Sequence, residues 1–249
     1  MRLRDFDPIL KAPGNFFFKY RDALFPTILA CTAIAVKPAP FLDSRSADLA
    51  LDAAGLAVAC LGQGIRILTI GYVYIIRGGK AKKVYAERLV TTGIFAHVRN
   101  PMYLGNLLVI LGFALIHNAP LFYALMIPFF AFAYASIIAA EESFLRDKFG
   151  PEFEAYCARV NRLLPKPGGL RNTLASMRFD WQRVIRKEYG TLFTFITSIL
   201  GLFALELYRF DGFSGHESRF ALLAGLWLSA GIAWAVARIL KKKKRLGSD

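Results

Sequence analysis

Apolar runs of membrane-crossing length alternate with loops along the chain, and the basic residues fall in every second loop. The runs lie near 23–36, 49–76, 101–116, 120–140, 190–208 and 219–239. A helix needs about 20 mostly apolar residues to cross the hydrocarbon core of a bilayer. Only a helix satisfies its own backbone N–H and C=O groups there, a closed barrel apart. Lys and Arg number five in residues 1–22, six in 77–100, ten in 141–189 and six in 238–249, against two each in 37–48 and 209–219. Basic loops stay on the cytoplasmic side. The pattern therefore predicts an all-α, polytopic integral membrane protein of about six transmembrane helices, both termini cytoplasmic. The chain is 55% hydrophobic with a formal charge of +14. Because that charge lies between apolar runs, the expected partner is the anionic cytoplasmic leaflet and not nucleic acid.

Three parts are expected: 1–48 (a cytosolic segment and a short first span holding Pro26), 49–169 (a core) and 170–249 (a basic amphipathic segment, two more spans and the KKKKR anchor). The N-terminus lacks the apolar core and cleavage site of a signal peptide and reads as a mature cytoplasmic end. Residues 141–164 mix charge with aromatics, which predicts a cytosolic, interfacial helix pair broken near Gly150-Pro151. Cys31, Cys60 and Cys157 are too scattered for a disulfide framework or a CxxC site. His97, His117 and His216 are equally scattered, so no metal site is expected.

The rim of the third and fourth spans draws attention. Asn is a preferred N-cap and Pro a preferred first helical residue, so Asn100-Pro101 reads as a helix start facing the cytoplasm. Its first N–H groups carry partial positive charge and Arg99 adds a full one, which suits a carboxylate or phosphate. The climb from 101 to the turn near 118 is about 26 Å, and the return to 141 is about 34 Å. Glu141 and Glu142 therefore come back within a turn or two of Pro101. A cationic corner beside an anionic corner matches a ligand bearing both a carboxylate and an ammonium. S-adenosylmethionine is such a ligand, and its sulfonium adds a second cation. Arg and Glu at span ends also serve as plain interfacial anchors, and spacing alone leaves both readings open.

Arg99-Asn100-Pro101-Met102-Tyr103-Leu104-Gly105 resembles the Arg-His/Asn-Pro-x-Tyr-x-Gly signature of the isoprenylcysteine carboxyl methyltransferase and phospholipid methyltransferase superfamily. Glu141-Glu142 is similar to that family's Glu-Glu element. FGPEFEAYCARVNRLLP resembles its trailing helix, which ends in Arg-x-x-Pro (Arg162 and Pro165). LVTTGIFAHVRNP resembles its lead-in, and GQGIRILTIGYVY its preceding glycine-rich span with an internal Arg. The likeness covers roughly residues 55–165. It implies an integral membrane methyltransferase that uses S-adenosylmethionine, holds it between the hairpin and the cytosolic helix, and admits a lipid or prenylated acceptor sideways from the bilayer. Asn100 stands where eukaryotic members have His, as in bacterial branches.

On this resemblance Arg99 and the N–H groups after Asn100 hold the cofactor carboxylate. Glu141 or Glu142 holds its ammonium or a ribose hydroxyl. Tyr103 bounds the sulfonium by a cation–π contact or simply packs. Gly105 permits close helix packing. His97 contacts adenine, acts as a base, or is an ordinary interfacial residue. Arg162 steers an anionic substrate group or closes the pocket. Arg66 either snorkels or has an intramembrane partner. A carboxylate acceptor needs no base; an amine acceptor needs one, with Glu142 or His97 as candidates. Two rival classes stand beside this one: a steroid-reductase-like NADPH enzyme, and a non-enzymatic scaffold or transporter.

Overall fold

The structure, a computed structural model, describes residues 7–73 and 84–243. Its described residues form helices α1 (Asp7–Ala35), α2 (Arg45–Tyr72), α3 (Pro101–His117), α4 (Pro120–Arg159), α5 (Leu170–Ala175), α6 (Trp181–Phe210) and α7 (Glu217–Lys242), with short 3-10 turns at Phe41–Asp43 and Gly93–Ala96. Four of them, α2, α4, α6 and α7, are long and apolar enough to cross a membrane, and α3 is a shorter apolar helix. The all-α, polytopic membrane architecture holds. The last three residues of the expected second span (74–76), most of the basic loop before residue 84 and the chain beyond 243 lie outside the described residues.

Two expectations change. The N-terminal segment and first span are one 29-residue helix, α1, running through Pro13 and Pro26. By length and composition α1 is not among the helices apolar enough to cross. The expected break near Gly150-Pro151 is present: α4 runs on past Glu141, kinks at Gly150 (φ 46°, ψ −122°) and resumes as a second helical stretch to Arg159. That positive φ is one glycine adopts without steric cost, which explains why the break falls there. The basic stretch after residue 169 is not a separate amphipathic helix. It divides into the short α5 and the first turns of α6, which begins at Trp181 behind an Asp180 side-chain cap donated to by the Arg183 N–H.

The bundle is built on two close pairs, α2 with α3 and α1 with α4, and α6 packs against α2 and α3. Small residues allow the α2–α3 approach: a Cβ on Gly62 would stand 2.5 Å from the carbonyl oxygen of Gly105, and one on Gly105 would stand 2.7 Å from the Gly62 oxygen and from Cγ of Arg66. Close backbone contact of this kind is the main packing device where lipid removes any hydrophobic drive between helices. The α1–α4 seam is aromatic, with Phe17 and Phe25 set edge-on to Phe129. On α6 the buried stripe reads Glu188, Phe195, Ile199 and Leu202. The α7 helix packs on α6 and keeps its apolar face outward, as a lipid-facing span does.

Gly62→Val places branched carbon against the α3 backbone. It is expected to cost about 1–3 kcal/mol, read as a lower unfolding temperature in detergent. Gly64→Ala, where an added Cβ meets nothing within 4 Å, is expected to leave that temperature unchanged.

Candidate active site at the start of the third helix

The hairpin of α3 and α4 brings its two ends together as the spacing predicted. Glu142 is buried, and the two expected corners meet on it directly. Nη2 of Arg99 lies 3.0 Å from Oε1 and Nη2 of Arg162 lies 2.6 Å from Oε2. Asn100 Nδ2 also donates to Oε1, at 3.4 Å. Arg99 further donates through Nη1 to the carbonyls of Cys157 (3.1 Å) and Val160 (2.6 Å), closing the C-terminal end of α4. Two guanidiniums thus share one carboxylate. Such charge-assisted bonds are the strong kind in a dehydrated setting.

A strap, residues 160–169 between α4 and α5, crosses this cluster. The Arg99 N–H donates to the Asn161 carbonyl and the Lys166 N–H to the His97 carbonyl. The His97 ring braces the same strap: Nδ1 lies 2.8 Å from the Lys166 carbonyl and Nε2 lies 2.9 Å from the Thr173 hydroxyl. A carbonyl only accepts, so Nδ1 carries the proton, and in the neutral ring Nε2 accepts from Thr173. Both nitrogens are engaged, and the geometry makes His97 a brace for the strap.

Asn100 differs from expectation. It precedes the helix, but its side chain makes no cap bond; it reaches Glu142 and the Arg162 carbonyl (3.1 Å) instead. Pro101 is the first residue of α3 and is buried, and the Leu104 N–H donates to the Asn100 carbonyl as the first helical bond. One turn deeper, the Tyr103 hydroxyl donates to Glu141 at 2.6 Å and accepts from Nη1 of Arg21 at 2.9 Å. The Tyr103 ring lies 5.7 Å from that of Tyr134.

Arg66 does not snorkel. It is 3% exposed and pairs at 2.9 Å with Glu188 of α6, itself 1% exposed, and it also donates to the Asn106 side chain. Arg21 and Glu188 went unnoticed in the sequence, one inside a mixed N-terminal segment and the other inside the basic run RVIRKEYG. A lone acid at helical spacing from an apolar stripe (188, 195, 199, 202) is the signal that marks Glu188.

At the opposite end of the bundle, Asp48, Asp52 and Glu206 bring carboxylate oxygens within 4.8 Å of one another. They border a cavity of about 300 Å³ between α2 and α6, beside the Arg45–Asp211 ion pair. The sequence expectation of no metal site weighed only Cys and His spacing. These carboxylates, far apart in sequence, meet only because α2 and α6 run antiparallel.

Residues 53–152 match the phospholipid methyltransferase family model, which bears out the resemblance over that segment. The segment contains Arg99, Asn100, Tyr103, Glu141 and Glu142 and leaves out Arg21, Arg162 and Glu188. Two relatives are similar. The nickel-cobalt-cadmium resistance protein NccN of Alcaligenes xylosoxydans xylosoxydans is 26% identical over 162 residues, 64% of this chain and 72% of the relative. The cobalt-zinc-cadmium resistance protein CzcN of Cupriavidus metallidurans is 31% identical over 103 residues, 41% of this chain and 46% of the relative. No solved structure matches this chain.

Removing the shared carboxylate leaves two guanidiniums facing each other in a dehydrated site. Glu142→Ala is expected to destabilise the fold by about 3–5 kcal/mol, read by thermal unfolding in detergent. Exposed Glu152, ten residues further on, is the control: Glu152→Ala is expected to shift stability by less than about 0.5 kcal/mol.

Proposed function

We propose that this chain is an integral membrane methyltransferase that uses S-adenosylmethionine and delivers its methyl group to a lipid-like acceptor at the cytoplasmic rim of the bilayer. The observation that carries this reading is the convergence, inside the matched segment, of Arg99, Asn100 and Glu142 into one buried cluster with Arg162. The donor set fits the cofactor's zwitterionic end. The guanidiniums of Arg99 and Arg162 answer a carboxylate, and Glu142 answers an ammonium. The first turn of α3, which the Asn100 side chain leaves uncapped, offers backbone N–H groups and positive dipole to the same anion.

When bound, the cofactor supplies a methyl group on a sulfonium, already activated for displacement. The protein's share is orientation and electrostatics. Arg99 and Asn100 fix the mouth of the pocket. Arg162, held by the strap, closes it. The rings of Tyr103 and Tyr134, on facing helices, offer π faces to a cation one turn deeper. Gly105 keeps α3 against α2, so the acceptor's way in is lateral. The relatives are named for metal resistance; we read the acceptor as an envelope component whose methylation matters under nickel, cobalt, zinc or cadmium load.

Calorimetric titration of the detergent-purified chain is the test. Micromolar binding of S-adenosylmethionine is expected, with NADPH inert. The reverse result would move the chain to the reductase class. Binding of neither by folded protein would favour a scaffold or transporter. Arg162→Gln is expected to weaken S-adenosylmethionine binding by about tenfold, the loss of roughly one charge-assisted hydrogen bond. Glu142 keeps Arg99 in that variant, so its unfolding temperature should stay close to wild type.

A further inference from the structure

The cluster around Glu142 has no proton acceptor to spare. Glu142 takes hydrogen bonds from Arg99, Asn100 and Arg162, and both nitrogens of His97 are engaged, Nδ1 with the Lys166 carbonyl and Nε2 with the Thr173 hydroxyl. Glu141 differs. Its bonding partner is the Tyr103 hydroxyl, and that hydroxyl is held from the other side by Arg21 of α1, upstream of the family-matched segment.

The direction of this chain of bonds is fixed by chemistry. A guanidinium only donates. The Tyr103 oxygen therefore accepts from Nη1 of Arg21, and its own proton points at Glu141. One lone pair of the phenol oxygen is left to accept a further proton. Arg21 is held firmly in this position, because its guanidinium lies 4.3 Å from the centre of the Phe18 ring and its side chain is only 18% exposed. Arg21 and Glu141 also cancel each other's charge across the hydroxyl, so neither is an isolated ion near the hydrocarbon. Tyr103 follows Asn100 by three residues, placing the group about 5 Å deeper along α3, on the bilayer side of the Glu142 cluster.

We propose that Arg21, Tyr103 and Glu141 form a proton relay for an acceptor whose nucleophilic atom carries a proton, with Glu141 the terminal base, Tyr103 the shuttle and Arg21 the positioning residue. This rests on the methyltransferase reading. The acceptor's proton passes to the Tyr103 oxygen as the phenol proton passes to Glu141. The electron pair freed on the acceptor atom forms the bond to the methyl carbon, and the carbon–sulfur pair leaves with the thioether. Arg21 stabilises the negative charge that builds on the phenol oxygen in between.

The test uses the full chain, labelled with 13Cζ tyrosine, in nanodiscs of phosphatidylethanolamine and phosphatidylglycerol. The Tyr103 resonance is assigned with Tyr103→Phe. Before any cofactor is added, Arg21→Ala and Glu141→Gln should each move that resonance, and Arg21→Lys should largely restore it. With methyl-labelled S-adenosylmethionine, both variants should bind it within about twofold of wild type, yet transfer label to alkali-stable lipid positions about 100-fold more slowly, the usual loss of a general base. An unmoved resonance in Arg21→Ala would overturn the relay. So would undiminished transfer by folded variants, loss of cofactor affinity on removing Arg21, or wild-type label found only in alkali-labile methyl esters or in no lipid at all. Failure of wild type to bind S-adenosylmethionine would instead strike the methyltransferase reading itself. The shifted resonance would then report a structural hydrogen bond, and the relay would fall with that reading.

Discussion

The end of the bundle where α3 begins turns on the buried carboxylate of Glu142. A carboxylate taken out of water demands full compensation, and Glu142 receives it from two arginines and an amide that come from both sides of it in sequence: Arg99 and Asn100 before α3, Arg162 after α4. One side chain therefore joins the start of one helix, the side of a second and the strap that follows. Arg99 extends the join to the last carbonyls of α4. Where α4 ends, where the strap crosses and how the hairpin closes all follow from satisfying that single charge.

The same logic explains why the helices outside the matched segment belong to the core. Arg66 on α2 would be an intramembrane cation without an answer if α6 did not supply Glu188. Arg21 on α1 performs the matching service for Tyr103 and Glu141. On α6, Glu188 and Glu206 are 18 residues apart, about 27 Å of helix, close to the thickness of the hydrocarbon core. Glu188 and Glu206 thus stand toward opposite ends of α6, with apolar residues between. Each meets α2, at Arg66 on one side and at Asp52 with Asp48 on the other.

Much of this was legible in the sequence, for reasons that are physical. Hydropathy and loop charge reveal spans because lipid leaves backbone no other conformation. The approach of Glu141 and Glu142 to the start of α3 followed from helical rise alone. Gly105 announced a close contact. Arg21 and Glu188 stayed hidden because their partners are 82 and 122 residues away, and their neighbours in sequence are ordinary interfacial charges. The N-terminal boundary was misplaced because hydropathy tracks lipid contact, whereas α1 is held by its aromatic seam with α4 and can be helical well outside the apolar run. Asn100 looked like a cap because cap preference is a local rule; in the fold its side-chain amide is turned to donate to Glu142 and to the Arg162 carbonyl.

On the proposed reading, a cluster that is already internally paired must still leave a way for a zwitterion to enter. An ammonium that takes the place of Arg162 on Glu142 releases a guanidinium, and the incoming carboxylate can take that guanidinium in turn. Each ion loses one partner and gains another of the same sign, so the exchange buries no uncompensated charge at any stage. An uncharged ligand, or one with a single charge, would break the pairs without replacing them and would meet the full desolvation penalty. The strap residue Arg162 is the natural one to yield, since it is more exposed than Arg99 (19% against 8%) and does not hold the end of α4. On the proposed methyltransferase reading, the pairing is thereby also a filter: it favours ligands that carry both charges at the spacing of an amino acid, and the strap is the side that yields.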